Sequence, residues 1–160
     1  MAISTTRGKA PSVDQFLAAF DSFAQAVRRA RGVRARDPDG GLTLSQYGLL
    51  EPLADRADAR VTELAEQAGI APSTASRILD ALERRGIVAR RRDAEDRRGV
   101  TVALTRTGER VLSSDHEWLR ARQRDFYASL PAEERELAPD LLLRLAALID
   151  ELASGPGEDL

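Results

Sequence analysis

The chain of 160 residues contains no cysteine. Disulfides, thiolate redox sensing and cysteine-based zinc sites are therefore excluded together. There is one histidine, His116. A structural zinc site needs about four ligands, usually Cys or His, so no metal site is assigned. Lysine occurs once against 23 arginines; the bias fits GC-rich coding, and arginine identity by itself carries no weight. No apolar run nears the ~20 residues that span a bilayer. The opening Met1-Ala2-Ile3-Ser4-Thr5-Thr6-Arg7-Gly8-Lys9 lacks the hydrophobic region of a secretory signal. A cytoplasmic protein without a membrane partner is expected. No glycine-rich phosphate loop is present and no nucleophile motif frames a serine, so neither an enzyme nor a cofactor is expected.

What is present is organised around residues 61–105. Val61, Leu64, Ala65 and Ala68 recur at i, i+3, i+4 and i+7, one apolar stripe of a helix. Thr62 is read as its N-cap, with Glu63 and Glu66 near the positive end of the dipole. Gly69 falls where the chain must turn, and Pro72 suits the first position of a second helix. That helix carries Ala75, Ile78, Leu79 and Leu82 on one face and Ser73, Thr74, Ser76, Arg77, Asp80 and Arg84 on the other. Hydroxyls and an arginine near a helix N-terminus suit a major groove, where Arg grips guanine through two hydrogen bonds. A helix hairpin with an ordinary solvated face would read the same way.

The following residues shift the balance. Gly86 ends the helix, Ile87-Val88-Ala89-Arg90 reads as a strand, and Val100-Thr101-Val102-Ala103-Leu104-Thr105 alternates as a second. Val100, Val102 and Leu104 share a face, and the tip between the strands is charged. Residues 84–98 hold seven Arg against three acids. A neighbouring Asp can hold an Arg of such a hairpin rigid, so that it enters a minor groove already oriented; a charged, solvated loop is the plainer alternative. Net charge is −2, but its distribution is uneven: residues 60–110 carry +3 and residues 111–160 carry −6. The basic segment coincides with the helix pair and hairpin.

Residues 61–108 resemble the MarR family of bacterial transcriptional regulators. The resemblance rests on the helix pair, on Leu82-Glu83-Arg84-Arg85-Gly86-Ile87-Val88, and on Asp96-Arg97-Arg98 followed by Val102-Ala103-Leu104-Thr105 and Gly108. Asp96 and Arg98 match the family's Asp-x-Arg wing pattern. The resemblance implies that Ser73, Thr74, Ser76 and Arg77 lie on a recognition helix. It also implies that Asp96, Arg97 and Arg98 belong to a DNA-contacting wing, with Arg98 in the minor groove and Asp96 orienting it. Family members commonly respond to small aromatic or anionic molecules; Tyr47, His116 and Trp118 are the candidate effector residues by approximate position. The family also implies a bacterial, cytoplasmic protein at the nucleoid.

The flanks read as helices. Ser12 and Gln15 form a capping box ahead of Val13, Phe16, Leu17, Phe20, Phe23, Ala24 and Val27, an apolar face expected to be buried. Arg36-Asp37-Pro38-Asp39-Gly40-Gly41 is a loop, and Thr43 with Gln46 opens a second capped helix. Gly48 and Pro52 predict its weakening near Leu49. Residues 55–60 read as a polar connection. A long helix covers about residues 109–129, and Pro131 precedes another, which Pro139 is expected to interrupt. Leu141, Leu145, Leu148 and Leu152 then form a stripe that needs a cover.

The expected architecture is mainly α with a small β-hairpin wing. Residues 1–11 form an N-terminal arm, residues 12–153 a MarR-like domain and residues 154–160 a tail. Within the domain the winged helix-turn-helix spans about residues 43–108. Dimerisation helices occupy about residues 12–31 and 109–153, with Phe16, Phe20, Leu141, Leu145, Leu148 and Leu152 at the interface. The expected partners are double-stranded DNA with a pseudo-palindromic operator, a second copy of the chain and a small-molecule effector. A constitutive winged-helix repressor without a ligand, and a winged helix serving as a protein-interaction module, are the alternatives.

Overall fold

A computed structural model describes residues 12–32, 41–92 and 100–154. In order, α1 (Val13–Ala30) and α2 (Leu44–Leu50) precede a 3-10 turn, Glu51–Ala54. Then come β1 (Ala59–Arg60), α3 (Val61–Gln67), α4 (Pro72–Arg84), β2 (Val88–Arg92) and β3 (Val100–Leu104). The chain ends in two long helices, α5 (Arg106–Ser129) and α6 (Ala132–Ser154). The three strands form one antiparallel sheet in the order β1-β3-β2. Ala59 pairs with Val102 across β1 and β3, and Arg90 with Val102 across β2 and β3.

Local chemistry explains most helix boundaries. Ser12 and Thr43 cap α1 and α2 with complete capping boxes, their hydroxyls accepting from the N–H groups of Gln15 and Gln46. α2 ends at Leu50 and Pro52 lies in the 3-10 turn, as the Gly48–Pro52 pairing predicts. α3 and α4 end alike. Gly69 and Gly86 take left-handed φ values of 62° and 68°. The next N–H donates back five residues, Ile70 to the Ala65 carbonyl and Ile87 to that of Leu82, both at 3.0 Å. Only a residue without Cβ enters that conformation cheaply.

Four expectations are corrected. Arg60, not Thr62, occupies the N-cap of α3, because the helix starts directly out of β1. Residues 55–60 are not merely a connection, since Ala59–Arg60 pairs with β3. The apolar face of α1 is not buried by the chain: no α1 residue is buried, and Phe16, Leu17 and Phe23 are each about half exposed. Pro139 does not interrupt α6, which runs through it. A proline inside a helix forfeits one hydrogen bond; Pro139 is exposed, so its ring meets no packed neighbour that would force the helix to end.

The chain divides into two compact units, residues 1–116 and 117–160. The core of the first is built from Leu42, Leu49, Leu50, Leu64, Leu79, Leu82 and Val102, all fully enclosed. It joins α2, α3, α4 and β3 into one body. No helix among the described residues is long and apolar enough to cross a membrane.

Candidate nucleic-acid interface

The α3–α4 pair presents one closed and one open face. Leu64 and Ala65 of α3 and Ala75, Leu79 and Leu82 of α4 are buried. Ala65, 1% exposed, provides the small contact that lets the two helices approach. On the opposite side of α4, Ser73, Arg77, Asp80 and Arg84 are exposed and fall at steps of four, three and four residues, a single stripe. Thr74 and Ser76 flank it half-buried. The predicted recognition residues on α4 are thus brought together, with Ser73 and Arg77 most open.

The strand after α4 is tied to that stripe. The Arg90 guanidinium donates to Asp80 Oδ1 and to Glu83 Oε2, both at 2.5 Å. Its backbone N–H donates to Glu83 Oε1 at 3.3 Å. The hydrogen bond to Asp80 raises the Arg90 pKa above its already high ordinary value; partial burial opposes the shift and Glu83 adds to it. Two carboxylates on α4 thereby share one guanidinium, and the root of the hairpin is held against the helix. Arg91, the next residue, is exposed. Sequence reading placed Asp80 on the open face but found no partner for it. The available signal was two acids three apart on a helix, with an arginine one strand later.

A second junction holds the hairpin from below. The Thr105 hydroxyl lies 2.6 Å from the Gly86 carbonyl and 3.2 Å from that of Ile87, and it accepts from the Gly108 N–H at 3.0 Å. Thr105 therefore connects the end of α4, the end of β3 and the first turn of α5. Asp96, Arg97 and Arg98 lie outside the described residues.

Of the candidate effector residues, Tyr47 and His116 are in contact. The Tyr47 hydroxyl and His116 Nδ1 share a hydrogen bond of 2.6 Å. The same hydroxyl is 3.2 Å from Glu51 Oε1. Trp118 belongs to the other unit, where the Arg122 guanidinium lies 5.8 Å from its ring centre. No group of three or more His, Cys, Asp or Glu positioned for a metal occurs among the described residues.

A capped helix pair, a three-stranded sheet and a basic hairpin packed on the second helix define a winged helix-turn-helix protein. The model of the MarR family matches residues 42–100. The transcriptional regulator HosA of Escherichia coli is 34% identical over 104 residues, 65% of this chain and 77% of HosA. The regulator FarR of Neisseria gonorrhoeae is 32% identical over 113 residues, 71% of this chain and 77% of FarR. Among solved structures, the PcaV transcriptional regulator of Streptomyces coelicolor matches with a TM-score of 0.67 and 25% identity, covering 87% of this chain and 98% of PcaV. The chain belongs to the MarR family of DNA-binding transcriptional regulators.

Proposed function

We propose that this regulator is a homodimeric, sequence-specific repressor that a small aromatic or anionic molecule releases from a pseudo-palindromic operator. The observation that carries the DNA reading is the open stripe of α4, Ser73, Arg77 and Arg84, backed by a closed core. Ser73, Thr74, Ser76 and Arg77 serve the major groove, and Asp96, Arg97 and Arg98 serve the adjacent minor groove.

Pairing of two copies is supported by apolar surface that one copy leaves uncovered. Val13, Phe16, Leu17, Phe23 and Val27 of α1 are exposed, as are Leu137, Leu141, Leu142, Leu143, Leu148, Ile149 and Leu152 of α6. Phe20 and Leu145 are half-buried. Monomeric proteins rarely keep such contiguous patches in water. Two-fold symmetry then places the half-sites about one helical turn apart, ~34 Å. Effector release is supported by the Tyr47–His116 contact within the body that carries α4, and by PcaV, which has been solved with its natural ligand. The cytoplasm is the location such a regulator requires.

Selection of bound sequences from random duplex DNA, with a salt titration on the winner, tests this. The expected result is an inverted repeat whose log affinity falls linearly with log salt, as release of counterions demands. Enrichment of no sequence, together with a stable complex with another protein, would overturn it in favour of a protein-interaction module.

A further inference from the structure

Asp115 is only 2% exposed, and neither the DNA face nor the effector contact uses it. It lies on α5, and its Oδ2 accepts a 2.6 Å hydrogen bond from the Leu42 N–H, 73 residues away in the chain. A carboxyl group enclosed this completely is costly unless it is hydrogen-bonded. The same peptide group is held at its other pole. The Gly41 carbonyl accepts a 3.1 Å hydrogen bond from Arg85 Nη2. Arg85 is the C-cap of α4, and its Nη1 also reaches Gln46 Oε1 in the capping box of α2, at 3.5 Å.

One peptide plane thus joins an acid on α5 to a base at the end of α4. Its N–H faces the carboxyl group and its C=O faces the guanidinium. Each partner polarises the amide in the sense that strengthens the other's bond. The three groups form a hydrogen-bonded relay through a peptide. The relay fixes the C-terminal end of α4 against α5 at a second point, beside the Thr105 junction.

We infer that Asp115 is a positioning residue for DNA recognition, acting through the Gly41–Leu42 peptide and Arg85 on the end of α4. The inference rests on the reading of α4 as the helix that enters the groove. The lever arm makes the effect large. A helix of 13 residues is about 20 Å long. A tilt of about 5° at one end moves the other by about 1.7 Å over that length. Hydrogen bonds from Ser73 and Arg77 to base edges, confined to donor–acceptor distances of about 2.7–3.2 Å, do not survive such a displacement. Contacts to phosphates by long, mobile arginines do.

The test compares affinity for the selected operator with affinity for a random duplex at one salt concentration, using the full chain. Asp115→Leu and Arg85→Met are each expected to lose operator affinity about tenfold, the scale of one lost buried hydrogen bond, while random-duplex affinity is unchanged. Asp115→Asn, whose amide oxygen still accepts from the Leu42 N–H, is expected to restore operator affinity. The Asp115→Leu/Arg85→Met double variant should be no worse than either single change, because both break one relay. Equal losses on both duplexes, an unchanged operator affinity, or additive losses would each overturn the proposal. Should Asp115→Leu fail to fold, Arg85→Met decides alone: an unchanged operator-to-random ratio overturns it. A wild-type chain that prefers no duplex would instead refute the reading of α4, and this inference with it.

Discussion

Gly108 sits where two backbones come closer than a side chain allows. A Cβ at this position would lie 2.0 Å from the Ile87 carbonyl oxygen and 3.0 Å from its carbon. Backbone cannot retreat as a flexible side chain can, so Gly108→Ala must push α5 away from the end of α4. It would break the Thr105 junction that spans them. The expected cost is about 1–3 kcal/mol, the range for overpacking a closed site, seen as a lower midpoint in urea unfolding. An unchanged midpoint would mean that α5 is free to shift. Arg90 acts at the same scale but through charge. Its folded-state pKa is raised, chiefly by Asp80. The stability it adds is therefore fully present below the ordinary arginine range and lost only as pH rises through the raised value. Arg90→Met should destabilise the fold by about 1 kcal/mol or less, as partly exposed pairs do. The deficit should be equal at pH 7 and pH 10; a deficit that shrank by pH 10 would show that Arg90 titrates in that window.

At the scale of elements, α6 shows how much a helix depends on what covers it. Leu141, Leu145, Leu148 and Leu152 form an apolar stripe, yet none of the α6 residues with described side chains is buried in the single chain. Leu145→Glu should convert the proposed dimer into monomer, measured by light scattering at micromolar concentration, and weaken operator binding because the second half-site loses its tether. A variant that stayed dimeric would remove α6 from the interface. The turn into α6 is held locally. Arg135 donates to the carbonyls of Ala128 and Leu130, both at 2.8 Å. Its guanidinium lies 5.9 Å from the Tyr127 ring centre. That anchoring satisfies the Ala128 carbonyl at the end of α5 and the Leu130 carbonyl in the turn.

For the whole molecule, the division between sequence and tertiary structure follows the range of the forces involved. The capping boxes at Ser12 and Thr43, the left-handed turns at Gly69 and Gly86, and the entry of α4 at Pro72 were legible. Each depends on residues within about five positions, which the sequence places together in any fold. The open stripe of α4 and the hairpin beside it were legible for the same reason, through periodicity. β1 was not, because two residues become a strand only when β3 pairs with them. The apolar side of α1 was read as core, since amphipathicity records that a face is covered but not by what. The Arg90 clamp needed the hairpin to fold back on α4. The sequence by itself determined the helices, those of their ends that local capping sets, and the chemistry of the open α4 stripe. Only the tertiary structure decided that Asp115 meets Leu42 across 73 residues and that Tyr47 meets His116, because chain neighbours set local conformation while packing alone brings distant polar groups within hydrogen-bond range.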